Sequence, residues 1–279
     1  MPQHCPYVGV TVAQFQGFMP STLIRGLKLL GIDFVELNKS ILPEIDRVAD
    51  SLGSIITAFH LPLIAENGWD FSCLDYKNEI DSMIDTLQRY RDKLHLHHVV
   101  CHPPEPDKQS EKLRFSLEFL FENLQKLNIP VHLENVPALH PDEFLKIYWQ
   151  AEQSLNTKLA GMCFDAPHYF VDGHDPVELF KTFRDITTSV HLSDCHEAED
   201  VHLPFNCGGS LPVNEFLSTL RESGFCGFIT LEIKPHSLKE LDAYIDSYMT
   251  TLQHMNYKKY LKTKLRLFAL RPLINRFAA

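Results

Sequence analysis

Five histidines and four carboxylates in this 279-residue chain are spaced so that they could share metal ions: His60, His102, Glu134, Asp165, His168, His191, Asp200, His202 and Glu232. Neutral imidazole nitrogens and carboxylate oxygens are the ligands that zinc and related divalent ions take from proteins. Nine such groups exceed the three or four that one zinc uses, and would fill two or three sites. Six of them obey one rule, for each ends or directly follows a short apolar run. His60 follows Ile-Ile-Thr-Ala-Phe, His102 follows Val-Val-Cys, and Glu134 follows Val-His-Leu. Asp165 follows Met-Cys-Phe, His191 follows Ser-Val, and Glu232 follows Ile-Thr-Leu. His168 comes next in Asp-Ala-Pro-His, and Asp200 and His202 stand in Asp-Val-His. With no Lys or Arg among the nine, burying them together sets acceptor against acceptor, and a cation in their midst removes that cost. A lone histidine after a strand is usually a packed structural residue, but six positions under a single rule, joined by three more ligand types, point to a common purpose.

The elements that would position these groups are legible from periodicity. Eight apolar, β-branched runs lie at residues 7–12, 34–37, 54–59, 97–101, 131–133, 159–164, 189–192 and 228–231. Between them fall amphipathic stretches of helical period, among them 43–52, 77–94, 111–127, 141–152, 212–223 and 237–253. Ser237 with Glu240 three residues on reads as a capping box. Strands recurring about every 30 residues with helical crossovers imply parallel βαβ units, and eight of them close into a (β/α)8 TIM barrel of the α/β class. In such a barrel the C-terminal strand ends share one face, so groups distant in sequence converge on a single bowl. An open doubly wound sheet is the competing arrangement. The turn after the first run, Ala-Gln-Phe-Gln-Gly-Phe-Met-Pro, lacks its GxGxxG signature and gives a dinucleotide site no support.

Composition narrows the function classes. With 44% hydrophobic and 22% charged residues, 12 Gly and 17 Pro, the chain reads as an ordinary globular protein rather than a disordered or fibrous one. No apolar run approaches the length of a spanning helix, and the first residues lack a signal-peptide pattern, so the expectation is a cytoplasmic protein. Seven Cys without a CxxC read as reduced thiols, several of them buried. Residues 1–253 form the expected barrel unit and 254–279 a basic extension. Residues 258–279 carry seven Lys or Arg and no acid, leaving 19 basic against 36 acidic groups, a charge of −17, on residues 1–257. So acidic a body gains nothing from the counterion release that drives non-specific nucleic-acid binding. The extension reads as an amphipathic helix, docking on the barrel or on a partner, with a membrane surface and nucleic acid as the other occupants. His97, His98, His132 and His140 lie beside the ligand positions rather than on them, and His174, His196 and His236 read as loop residues at the surface.

These residues resemble the xylose isomerase-like TIM-barrel superfamily, which includes endonuclease IV and many sugar isomerases and epimerases. The motifs are Phe-His-Leu-Pro at His60, Val-Val-Cys-His-Pro at His102, His-Leu-Glu-Asn at Glu134, and Gly-Met-Cys-Phe-Asp-Ala-Pro-His at Asp165 and His168. They continue with His-Leu-Ser-Asp at His191 and Asp194, Asp-Val-His-Leu-Pro at Asp200 and His202, and Leu-Glu at Glu232. For a sugar isomerase or epimerase, the resemblance implies one zinc or manganese ion on Glu134, Asp165, His191 and Glu232. The two glutamates would transfer protons, and His168 and His202 would touch hydroxyls or phosphate. For an endonuclease IV relative it implies three zinc ions: one on His60 and His102, a second on Asp165, His191 and Glu232 with Glu134 bridging, and a third on His168, Asp200 and His202.

The chain departs from both patterns. Where the endonuclease carries a DNA-penetrating Ser-Tyr-Leu-Ile-Asn, this sequence reads Leu-Pro-Leu-Ile-Ala-Glu-Asn-Gly-Trp-Asp at 61–70, in which Trp69 alone could stack on a base. The extra glutamate that some epimerases carry after the fifth strand is missing from Asn-Val-Pro-Ala-Leu-His at 135–140. Two chemistries follow, with a metal-stabilised binding module as the non-enzymatic alternative. The favoured one is a divalent-metal-dependent isomerase or epimerase of a small sugar, sugar phosphate or polyol, with Glu134 and Glu232 catalytic and Trp69 and Asp194 at the substrate. The other is a multi-zinc phosphodiesterase acting on abasic DNA or another phosphoester.

Overall fold

Strands β2 (Phe34–Leu37), β5 (Val131–Glu134) and β10 (Phe228–Leu231) are buried at every residue, as befits strands with helices outside and packed side chains inside. The computed structural model describes residues 6–15, 17–105, 113–234, 237 and 240–278, the side chains of 272–278 excepted. The remaining strands are β1 (Tyr7–Val12), β3 (Ile56–His60), β4 (Leu96–Cys101), β6 (Leu159–Asp165) and β7 (Thr187–Leu192), with two short strands, β8 (Asp194–His196) and β9 (Glu199–Leu203), between β7 and β10. Eight strands close in the order β1-β10-β7-β6-β5-β4-β3-β2. Each neighbouring pair is parallel, and Val10 pairs with both Leu231 and Val35 where the ring is sealed. The fold is the expected TIM barrel, and the open sheet is excluded.

Helices α1 (Pro20–Leu30), α2 (Ile45–Leu52), α3 (Ile64–Asn67), α4 (Lys77–Tyr90), α5 (Leu117–Lys126), α6 (Pro141–Leu155), α7 (Ala166–Val171), α8 (Pro176–Phe183), α9 (Val213–Glu222) and α10 (Leu241–Met255) fill the connections. The differences from the expected bounds have local causes. Ile55 N–H bonds back to Leu52 O as α2 ends, so Ser54 and Ile55 belong to the turn and β3 runs on to include His60. Residues 39–44 form a 3-10 turn capped by Asn38, whose side chain accepts from Ser40 N–H at 3.0 Å, and α2 starts after it. Helix α5 begins at Leu117, because residues 114–116 instead pair with 72–74 and Ser116 caps the helix through Phe119 N–H. Residues 106–112, including the expected helix start at Glu111, lie outside the described residues, as does His236.

A final helix, α11 (Tyr257–Ala278), carries the basic segment. Its Thr263 is buried, its Lys259 pairs with Asp33, and its Leu265 and Phe268 face outward at 72% and 83% exposure. Among the described residues no helix is long and apolar enough to cross a membrane. Cys73, Cys101, Cys163 and Cys195 are free and buried and Cys207 is free and exposed, whereas Cys226 is disulfide-bonded, a departure from the all-thiol expectation.

The barrel floor, at the N-terminal strand ends, is plugged by rings. Phe34 and Phe228 lie 4.9 Å apart at their centroids, and Gly9 is required beside them, since a Cβ there would stand 2.3 Å from Phe34 O. His98 stacks on His132 at 3.9 Å, and the His132 Nδ1 lies 2.8 Å from Ser189 Oγ. Both imidazoles are therefore floor residues, away from the cluster of donors.

Burial holds the His132 ring neutral, down to about 3 from an ordinary 6.5, with the nearby His97 and His191 adding repulsion. The folded value lies below the unfolded one, so this stabilisation is complete above 6.5 and is lost as pH falls from there toward 3. The stability of the parent chain should therefore fall with acid by up to about 1.4 kcal/mol per pH unit from this group alone. Urea unfolding of a His132→Gln variant should show a correspondingly shallower slope; an unchanged slope would clear His132 of the effect.

Candidate metal centre

Each candidate donor is placed by the end of a barrel strand or the loop it feeds. His60, Glu134 and Asp165 are the last residues of β3, β5 and β6, His191 lies in β7, and His102 and Glu232 immediately follow β4 and β10. Asp165 also caps α7, accepting from His168 N–H at 2.7 Å, which turns the His168 ring back over the bowl. Asp200 and His202 come from β9 of the β8–β9 hairpin, which the sequence reading took for a plain loop. All nine converge.

Glu134 is the hub. Its Oε2 lies 3.1 Å from His60 Nε2 and 3.2 Å from His191 Nδ1, and its Oε1 lies 3.3 Å from His102 Nε2 and 3.6 Å from His168 Nδ1. Glu134, Asp165, His191 and Glu232 each offer an atom within 4.8 Å of the others, and so do His60, His102 and Glu134. The third group is looser: Asp200 Oδ2 lies 3.5 Å from His168 Nε2 and 3.4 Å from His202 Nε2.

The tautomers, assigned from hydrogen bonds, show what this arrangement needs. His60 Nδ1 is 2.9 Å from Leu61 O, His102 Nδ1 is 3.2 Å from a Glu105 oxygen, His168 Nδ1 is 2.7 Å from Asn135 O, and His191 Nε2 is 3.0 Å from a Glu36 oxygen. An oxygen acceptor requires N–H at each of those nitrogens, which leaves the other nitrogen of a neutral ring with only a lone pair. Those lone pairs point at carboxylate oxygens of Glu134 and Asp200. Glu134 Oε1, His102 Nε2, His191 Nδ1, Asp200 Oδ1 and His202 Nδ1 are buried with no hydrogen-bond partner. Acceptors facing acceptors in a buried space fit divalent cations, and imidazoles anchored through their second nitrogen are the usual outer support of such ligands.

The electrostatics agree. Burial alone would lower the His102 ring, but the carboxylates of Glu134 and Glu105 push it up to about 9. Burial raises Asp165 to about 8, against the pull of His168 and with the help of Glu134, Asp200 and Glu232. Burial would also raise Glu134, yet His191 and His102 hold it well below the ordinary range. The carboxylates thus draw positive charge into the bowl, which bound ions would supply without protonating the rings.

Trp69 and Asp194 are not brought to the donors. Trp69 is buried between Phe71 and Tyr76, with the Lys39 ammonium 5.0 Å above its ring. Asp194 accepts from Cys195 N–H at 3.0 Å and Leu211 N–H at 3.1 Å. Gly209 packs so closely that a Cβ would stand 2.1 Å from the Asp194 carboxylate. Asp194 thereby ties the hairpin that presents Asp200 and His202 to the loop behind it. Of the remaining histidines, His196 is exposed and His174 half-buried. The sequence reading missed Glu36, Glu105 and Asn135, the groups that anchor the rings. Glu36 left a signal, being a carboxylate inside the otherwise apolar run Phe-Val-Glu-Leu.

His60, His102, Glu134, His168, His202 and Glu232 line one end of a cavity of about 1040 Å³. A ring of candidate metal donors at the C-terminal mouth of a (β/α)8 barrel, beside a cavity of ligand size, lies at the end where TIM-barrel enzymes carry their active sites. The model of the xylose isomerase-like TIM barrel family matches residues 22–256, and the chain belongs to that family. No curated protein sequence matches it. Among solved structures, the family 2 AP endonuclease of Brucella melitensis superposes with a TM-score of 0.64 at 16% identity, over 83% of this chain and 94% of that one. D-psicose 3-epimerase of Clostridium cellulolyticum H10 gives 0.62 at 16% identity, over 96% and 99%. The 3-keto-D-glucoside 4-epimerase of E. coli gives 0.58 at 16% identity, over 89% and 99%. At these identities the likeness is one of fold.

Proposed function

We propose that the chain is a divalent-metal-dependent isomerase or epimerase of a small sugar, sugar phosphate or polyol, with residues 1–253 as the catalytic unit and the basic extension docked on its acidic body. The observation that carries this reading is the quartet of Glu134, Asp165, His191 and Glu232, whose donor atoms all lie within 4.8 Å of one another, its Glu134 and Glu232 lining a cavity in which Lys39 and Lys234 are the only Lys or Arg among the described residues. A strand of nucleic acid asks for many more cations. The epimerases among the structural neighbours act on ketoses and a keto-glucoside by their names, which agrees in kind.

A divalent ion, zinc or manganese, held by the quartet supplies polarisation of a carbonyl and its neighbouring hydroxyl, acidifying the proton on the carbon between them. One carboxylate of the Glu134 and Glu232 pair takes that proton, the C–H electron pair moving toward the carbonyl oxygen, and the other returns a proton to carbon. His168 and His202 stand at the cavity wall to orient hydroxyls. In this reading Asp194 acts through the hairpin, while Trp69 holds the loop after β3 beside the bowl.

A second reading, phosphoester hydrolysis on three ions, is favoured by the additional group of His168, Asp200 and His202. Elemental analysis combined with NMR in deuterium oxide over a panel of ketoses and aldoses separates the two. One ion per chain with deuterium entering a single carbon supports the isomerase. Three ions with hydrolysis of bis-p-nitrophenyl phosphate and no isotope exchange would replace it.

A further inference from the structure

The same cavity that begins at the metal donors does not end there. It continues past the rim of β1 into a cleft between α1, α10 and α11, where Leu23, Leu27 and Leu30 of α1 face Ile245 of α10 and Leu267 and Leu270 of α11. One void of about 1040 Å³ thus has two chemically opposite ends, one of carboxylates and imidazoles, the other of aliphatic side chains. That volume sits at the top of the roughly 300–1,000 Å³ range of sites for drug-sized ligands, far more than a free hexose fills.

Gly26 offers a position from which this end can be tested. It lies inside α1, where glycine is the poorest helix former after proline, and it has ordinary helical backbone rather than a positive φ. A Cβ added to it would meet nothing within 4 Å. Close packing therefore does not require glycine there. Gly26 lines the cleft at its solvent-exposed edge, so a large side chain placed there would lie across the opening of the apolar end.

Resting on the sugar reading above, we infer that the substrate is amphiphilic: a polyhydroxylated head at the metal centre joined to an alkyl or acyl tail that lies in the cleft between α1, α10 and α11. The tail gains by leaving water, by roughly fourfold in affinity for each methylene fully buried. The head is fixed by the donors. The continuity of the void from Glu134 and Glu232 to Leu267 and Leu270 lets one molecule occupy both ends.

The test uses the metal-loaded full chain with methyl and octyl glucosides, the latter below its micelle concentration, followed by calorimetry or ligand-detected NMR. Octyl glucoside is expected to bind at least about tenfold more tightly than methyl glucoside. A Gly26→Phe chain, whose ring would lie across the cleft's opening, should lose that preference while keeping its metal content and melting temperature. Gly26→Ala, which adds one methyl group, should keep it. Equal binding of the two glucosides by the parent chain, or an octyl preference that survives in Gly26→Phe, overturns the proposal. Were Gly26→Phe not to fold, hexyl, octyl and decyl glucosides on the parent chain decide it, a flat series overturning the tail site. Failure of the sugar reading has its own signature, affinities for both glucosides that chelation leaves unchanged; these would show that the head does not sit at the metal and overturn the amphiphile as well.

Discussion

Changing Glu134 to Gln is expected to leave a folded chain that binds divalent metal at least about 100-fold more weakly than the parent, with activity lost to match. The substitution keeps the side chain's shape and removes one charge, but from the one group that touches His60, His102, His168 and His191 at once. Groups that merely support a ligand already cost roughly 10–100-fold in affinity when altered, and Glu134 lies in three of the four tight donor groups among the described residues. Its amide would also place an N–H₂ against lone pairs that a cation otherwise faces. Circular dichroism with metal analysis after dialysis checks the outcome. Parent-like metal content in the variant would remove Glu134 from the centre and, with it, the assignment of the quartet.

Stripping metal from the parent chain should lower its melting temperature by roughly 8–16 °C. An ion present at about a thousand times its dissociation constant stabilises the folded state by about 4 kcal/mol, and each kcal/mol moves the midpoint by roughly 2–4 °C in a chain of 150–250 residues or somewhat larger. The physical source is the set of buried atoms left unpaired, Glu134 Oε1, His102 Nε2 and His191 Nδ1 among them. Differential scanning calorimetry with and without a chelator, followed by readdition of zinc or manganese, checks it. A midpoint indifferent to the chelator would mean that no ion is seated among these groups.

The barrel and its ring of donors were legible in the sequence because both rest on strand ends. A strand buried on both faces reads as an apolar run, and a polar residue at its C-terminal end stands out, as His60 does after Ile-Ile-Thr-Ala-Phe and Asp165 after Met-Cys-Phe. What stayed hidden depends on pairing across the fold. Glu36 is 155 residues from the His191 it anchors, and Asn135 serves His168 through its backbone carbonyl, which no side-chain pattern reveals. The hairpin bearing Asp200 and His202 was unreadable for another reason: β9 is half-exposed and carries the mixed run Glu-Asp-Val-His-Leu. Trp69 drew attention as an aromatic in the loop after the third strand, but its stacking on Phe71 and Tyr76 is a tertiary fact.

Donors contributed from residue 60 through residue 232 have an implication for biogenesis. No fragment that a ribosome has released short of β10 can present Glu232 to its partners, and the ring cannot shut until β10 slots between β1 and β7. For the proposed metal centre, ion capture by the full set is thereby reserved for chains in which β10 has been made, so metal supply would bear on the last stage of maturation rather than on its onset.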